Sequence, residues 1–198
     1  MLLKHFKKPI GSTHSSTRRR FLAMSAGALV TAASIRSRSV FAESAIITPE
    51  RTLSFYNLHT GENLKVAYWV EGEYIAESLS EINHLLRDYR NGEIKQIDLG
   101  LLNLLHAITL RLGTSKPIQL ISGYRSPATN SMLHAHSNGV AKHSLHMEGM
   151  AADIRIPGHD LRELHEVAMA MRGGGVGYYA QSDFVHVDVG RQRYWTGT

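Results

Sequence analysis

The chain has 198 residues, with 22 Lys and Arg against 17 Asp and Glu, and it contains no cysteine. That length suffices for one domain with a real core, and the missing cysteine excludes disulfides, thiol nucleophiles, cysteine-ligated zinc and iron–sulfur clusters. The net charge of +5 is confined to one end: residues 1–42 hold eight Lys/Arg and no acid, which leaves 14 basic against 17 acidic residues, about −3, in the remainder. A nucleic-acid partner thereby loses its main support and is not expected.

The basic segment "STRRRFLAMSAGALVTAAS" carries a twin-arginine pair, Arg18 and Arg19, ahead of an apolar stretch rich in Ala and Gly, and "SVFAES" places Val40 and Ala42 before Glu43. A basic region, an apolar region and small residues at a cleavage site define a secretory signal, and twin arginines point to the Tat export machinery. The run from Phe21 to Ile35 is 15 residues, short of the roughly 20 that a membrane span needs. The expectation is a Tat-type signal over 1–42 and a mature periplasmic domain over 43–198, with no stable membrane anchor after cleavage.

Along the mature chain, Thr52–Glu62 alternates like a strand and turns at Gly61, and "LKVAYWVEGEY" continues with period two as its hairpin partner. Ser78–Tyr89 has apolar residues at helical spacing with Ser80 as a possible N-cap, and Asp98–Leu112 is a second amphipathic helix stopped by Gly113. "PIQLISGYRS" predicts a strand running into a turn, and "SPATNSMLHAHS" a short helix entered through proline. "HSLHMEGMAADIRI" supplies the next strand, and "HDLRELHEVAMAMR" a helix stopped by Gly173–Gly175. "GVGYYA" and "DFVHVDVG" close the sheet. The elements predict one α+β domain with helices packed on an antiparallel sheet.

Two of these apolar strands carry side chains that a core normally avoids. His146 lies seven residues before Asp153, and His186 and Asp188 are set among Phe184, Val185, Val187 and Val189. A buried charge is costly unless paired or bound to a metal. Two histidines and one carboxylate make a hydrolytic zinc site with a fourth position open to water, and His146, Asp153 and His186 would form such a set. Strand alternation puts His186 and Asp188 on one face, which suits a ligand beside a base or beside a partner that fixes its tautomer. His143, three residues before His146, competes for ligand duty. The other mature-chain histidines, His134 and His136 among them, read as surface or hydrogen-bonded residues.

"SLHMEGMAAD", Ser144–Asp153, resembles the S-x-H-x-x-G-x-A-x-D signature of the M15-type zinc D,D-peptidases. "NLHTGE", "LISGYRS", "GVAKHSLH", "GGVGYY" and "FVHVD" are similar to the murein endopeptidase K branch of that group, over nearly all of Leu53–Trp195. The resemblance implies the hedgehog/D,D-peptidase fold and one Zn²⁺ per chain, held by His146, Asp153 and His186. His143 falls outside that ligand set. It implies Ser144, Tyr124 and Arg125 at the substrate, with Arg125 stabilising the oxyanion. Asp183, three residues before the late histidine, and Asp188 both remain open as the general base. The implied activity is hydrolysis of peptide cross-bridges in peptidoglycan.

Overall fold

The structure, a computed structural model, describes residues 49–136 and 139–197; the expected signal and its cleavage point lie outside them. Strand β1 (Glu50–Asn57) pairs antiparallel with β2 (Asn63–Val70). β1 stops at Asn57, earlier than its alternation suggests, because the Asn57 side chain turns the chain. Its Oδ1 accepts the N–H groups of His59 at 2.9 Å and Thr60 at 3.2 Å, an Asx-type turn. A two-residue β3 (Glu73–Tyr74) then edges the sheet beside β2.

Helix α1 covers Ala76–Leu85 rather than Ser78–Tyr89, so Ser80 lies inside it and caps nothing. Asp88 explains the early end: its buried carboxylate accepts the N–H of Arg90 at 3.1 Å and of Ser126 at 2.9 Å, bonds that a helical Asp88 could not make. Helix α2 (Leu99–Leu112) has the expected bounds, with the Asp98 side chain capping Gly100 N and Gly113 closing it in the left-handed conformation. β4 (Ile118–Ser122), α3 (Pro127–His136), β5 (Ala151–Arg155), α4 (Leu161–Met171), β6 (Gly175–Tyr179) and β7 (Phe184–Asp188) follow, and β8 (Arg193–Gly197), not anticipated from the sequence, ends the described chain.

The eight strands form one sheet in the order β3-β2-β1-β4-β5-β7-β6-β8. It is mixed, not antiparallel: β1 pairs parallel with β4, and β6 parallel with β8. The first parallel pair arises because α1 and α2 intervene between β1 and β4, the helical crossover that parallel strands require. The second arises because β8 passes β7 and docks on the far side of β6.

One face of the sheet carries the core. Leu101, Leu102, Leu105 and Ile108 of α2 and Leu164 of α4 pack with Leu53, Phe55, Leu120, Ile154, Val185 and Val187 from the strands. Each fully buried aliphatic side chain contributes about 1.5–3 kcal/mol over its exposed state. This helical layer holds β5 and β7 through Ile154, Val185 and Val187, and the alternate residues of those strands face the other way.

Candidate metal centre and active-site cavity

Those alternate residues are Asp153 on β5 and His186 and Asp188 on β7. The strands are antiparallel neighbours with Asp153 directly opposite His186 and Ala151 opposite Asp188, so sheet register alone makes the first pair. His146 arrives from a different element. The stretch 143–156 is not one strand: Leu145–Glu148 forms a 3₁₀ turn before β5 begins. Ser144 opens that turn by accepting the His146 N–H, and Gly149 closes it at φ 70°. A Cβ at Gly149 would stand 2.6 Å from the Gln96 carbonyl oxygen, so the close approach and the positive φ both require glycine.

His146, Asp153 and His186 are all buried, and one atom from each converges. His186 Nδ1 lies 2.9 Å from Asp153 Oδ1, and His146 Nε2 lies 3.2 Å from both. The far nitrogen of each ring is engaged elsewhere. His146 Nδ1 is 2.7 Å from the Gly123 carbonyl, and His186 Nε2 is 3.1 Å from Asp188 Oδ2. Both outer partners only accept hydrogen bonds, so each outer nitrogen carries the proton and donates it. Three lone pairs then face one another. That arrangement is repulsive unless a positive charge sits among them.

A proton supplies such a charge. Burial works against a charged His186, but its hydrogen bonds to Asp153 and Asp188 outweigh this and push its pKa up to about 9. Burial would raise the Asp153 carboxyl, yet the two imidazoles hold it well below the carboxylate range. A divalent metal supplies the charge equally well. Four ligands at roughly 2.0–2.1 Å around tetrahedral zinc stand about 3.3 Å apart, close to the three separations here. The donor set therefore fits zinc, and His146, Asp153 and His186 are the residues that could hold it.

Asp188 is fully buried and heavily engaged. Besides His186 it accepts from Gly175 N at 2.8 Å, Gly190 N at 2.9 Å, and both terminal nitrogens of Arg193 at 3.2 and 2.6 Å. Burial would raise its pKa; these donors instead hold it far below the usual range. A Cβ at Gly175 would meet both Arg193 Nη1 and Asp188 Oδ2 at 2.5 Å, so a glycine there makes room for the ion pair.

A cavity of about 270 Å³ opens over the cluster. Trp195, Tyr179 and Phe184 form an aromatic wall on one side: Trp195 Nε1 donates to the Tyr179 hydroxyl at 3.0 Å, and Tyr179 stacks on Phe184 with ring centroids 4.5 Å apart. Arg125, His143 and Ser144 also line the cavity. Arg125 follows β4 in a turn pinned by Tyr124 N to the Leu86 carbonyl, 2.7 Å, and by its own N–H to the His146 carbonyl, 3.1 Å. Its guanidinium stands 3.9 Å from Asp153 Oδ2.

Of the residues that the sequence nominates, the cavity brings together Arg125, Ser144, His146, Asp153 and His186. Asp188 stands behind His186. Tyr124 is buried and outside the cavity lining, and Asp183 is at the start of β7, paired with Arg155 and lining a separate cleft beside His159 and Leu161. Arg193, Trp195 and Tyr179 went unnominated. Arg193 and Trp195 belong to a strand without a strong periodic signal, and only the pairing of β8 with β6 brings them to the site.

Comparison with known proteins identifies the family. Residues 45–195 match the family model described as peptidoglycan L,D-endopeptidase MepK. The chain is similar to the peptidoglycan L,D-endopeptidase MepK of Escherichia coli K12, at 46% identity over 180 residues, 91% of this chain and 97% of the relative. It is also similar to the probable peptidoglycan L,D-endopeptidase MepK of Haemophilus influenzae, at 38% identity over 176 residues, 88% and 94% of the two chains. The chain belongs to the MepK family of M15-type peptidases.

Proposed function

We propose that the mature protein is a zinc-dependent endopeptidase of peptidoglycan, built on the hedgehog/D,D-peptidase fold, that cuts peptide cross-bridges in the periplasm. The observation that carries this reading is the convergence of three buried lone pairs from His146, Asp153 and His186 on the floor of a cavity that also holds Arg125. The family relatives are named L,D-endopeptidases, which favours a bond between an L- and a D-configured centre over the D,D bond suggested by the wider M15 group. We also assign residues 1–42 to a Tat-type signal, removed before residues 43–198 act outside the cytoplasmic membrane.

Zinc, when bound, supplies a Lewis acid and an acidified water. The chain's own residues do the rest. Gly123 O and Asp188 hold the two imidazoles in the tautomers that aim Nε2 of His146 and Nδ1 of His186 inward. Arg125 offers a fixed cation to the oxygen that gains charge as the amide carbonyl is attacked. Asp188 has its acceptor positions occupied by five donors, so its role is to orient His186, and Asp183 faces another cleft. Outside the cluster, His143 is the one imidazole among the described residues that line the cavity, and an imidazole can both accept and donate a proton. We assign to His143 the passage of the proton, taken from the attacking water and handed to the leaving amine as the C–N bond breaks. Ser144 and the aromatic wall bind the peptide.

The test is elemental analysis of the purified mature protein together with mass spectrometry of cross-linked muropeptides after digestion. About one zinc per chain and cleavage of cross-linked dimers are expected. Zinc without cleavage would instead indicate a binding domain that has lost its chemistry.

A further inference from the structure

Asn130 of α3 is 2% exposed, and every polar atom of its amide is used. Its Oδ1 accepts from Arg125 Nη1 at 3.3 Å, and its Nδ2 donates to the carbonyls of Ala141 at 3.1 Å and Lys142 at 3.2 Å. The orientation of the amide is unambiguous, because a guanidinium can only donate and a carbonyl can only accept. One turn further along α3, on the same face, His134 Nδ1 lies 2.7 Å from the Val140 carbonyl. Two side chains of α3 therefore hold three consecutive carbonyls, 140 to 142, and those carbonyls belong to the segment that brings His143 and Ser144 into the cavity.

Arg125 is otherwise lightly held. Its Nε is buried with no hydrogen-bond partner among the described residues, and its contact with Asp153 is 3.9 Å long. Among the described residues, the bond to Asn130 at 3.3 Å is shorter than the contact with Asp153. α3 is itself anchored at its start, where Ser126 Oγ accepts from Thr129 N at 3.2 Å and Ser126 N donates to Asp88.

We propose that Asn130 is a positioning residue that couples Arg125 to the 139–144 wall, so that the cation for the oxyanion and the substrate-holding segment keep one fixed spacing, with His134 as an auxiliary pin for the segment alone. The kinetic part rests on the endopeptidase reading above; the structural part does not. Removing His134 loosens the wall, and His143 with it, but leaves Arg125 in place, which weakens substrate binding and slows the chemical step only slightly. Removing Asn130 loosens both, which weakens binding and slows the chemical step.

Three variants and two measurements test this. With cross-linked muropeptides, His134→Ala should raise KM several-fold and lower kcat only about two- to threefold, through His143, whereas Asn130→Ala should raise KM and lower kcat by about tenfold or more. In an Arg125→Ala background, Asn130→Ala should lower kcat no more than His134→Ala does, because the cation it positions is gone and only the effect on His143 is left. Zinc content should match that of the unsubstituted protein throughout. Hydrogen exchange at the 139–144 amides should be faster in both single variants, and this readout needs no turnover. Unchanged exchange in Asn130→Ala overturns the bracket. Altered exchange with unchanged kcat, or an undiminished kcat loss in the Arg125→Ala background, overturns the coupling to Arg125. An unsubstituted protein that fails to cleave muropeptides would overturn the endopeptidase reading and the kinetic coupling with it, while the exchange result still decides the bracket.

Discussion

The two walls of the cavity are built on different principles. The β5–β7 wall sets Asp153 and His186 by strand register, backs them with a buried apolar layer, and fixes the outer nitrogen of His186 with the Asp188 carboxylate. A second wall, with Arg125 and residues 139–144, hangs on turns and on a few side-chain hydrogen bonds that meet at Asn130. A rigid, over-determined wall suits groups that must meet at one point. A wall held through single contacts suits groups that must receive an extended peptide, because segments with few buried contacts open at low free energy. The comparison is useful only if changes on the two sides have different signatures.

The largest difference is expected at the cluster. His146→Ala should remove both the metal and hydrolysis, since one histidine and one carboxylate cannot hold zinc tightly, while the fold persists on its opposite-face core. Elemental analysis, muropeptide cleavage and circular dichroism check the three parts. Retained stoichiometric zinc in this variant would falsify the ligand assignment.

On the loop-borne wall the metal should stay and the chemistry should go. Arg125→Ala should keep zinc and lower kcat by about 10²–10³-fold, the usual loss for one oxyanion-stabilising donor. His143→Ala should also keep zinc and lose about 10²-fold or more in turnover, the range for a general acid–base group. Loss of zinc with either variant would erase the distinction between the walls.

How much of this was legible in the sequence follows the same division. His146, Asp153 and His186 stand out because carboxylate and imidazole in apolar strands demand a partner, and strand alternation says which face they share. Arg125 gained its role only from resemblance, since an arginine in a turn is ordinarily a solvated side chain. Asn130, His134 and Arg193 were illegible for a physical reason: each acts through one long-range contact, and no local period reports such contacts. The parallel docking of β8 was hidden likewise, because pairing partners across a mixed sheet are chosen by tertiary packing. The end of α1 at Leu85 escaped because Asp88 answers to Ser126, 38 residues away.

Arg193 and Asp188 give the next effect in size. Asp188→Asn cannot satisfy five donors with one carbonyl oxygen, and Arg193→Ala removes two of them. Either should weaken zinc affinity by roughly 10- to 100-fold without abolishing turnover at saturating zinc, as competition with a chromogenic chelator would show. Turnover abolished at full zinc occupancy in Asp188→Asn would restore Asp188 as the base.

Acid stability separates the walls more gently. Burial would raise Asp88, but hydrogen bonds from Thr129, Ser126 and Arg90 N outweigh it and leave its pKa lowered. A lowered folded-state pKa stabilises the protein above the unfolded value of about 4, and the stabilisation is lost as pH falls through the folded value. Asp88→Asn should lower stability by about 1–3 kcal/mol at neutral pH and flatten the loss of stability as pH falls below about 4. Denaturant titrations across that window measure it. A variant with an unchanged pH slope would show that Asp88 does not anchor the α3 end of the cavity.

The smallest effect is expected at Asp183, and it bears most directly on the base. Its side chain is 60% exposed, it pairs with a partly exposed Arg155, and it borders a cleft other than the one above the cluster. Such an ion pair is worth about 0–1 kcal/mol. The residue adopts φ 54°, a left-handed conformation that asparagine tolerates as readily as aspartate, so Asp183→Asn changes the charge and leaves the turn intact. Turnover should stay within about twofold, and the stability change within about 1 kcal/mol. If Asp183→Asn instead loses about 10²-fold or more in kcat with zinc retained while His143→Ala remains active, the β6–β7 turn must bring Asp183 over the cluster when substrate binds. Proton transfer would then belong to the strand-borne wall, and the division between a metal-holding side and a proton-handling side would fail.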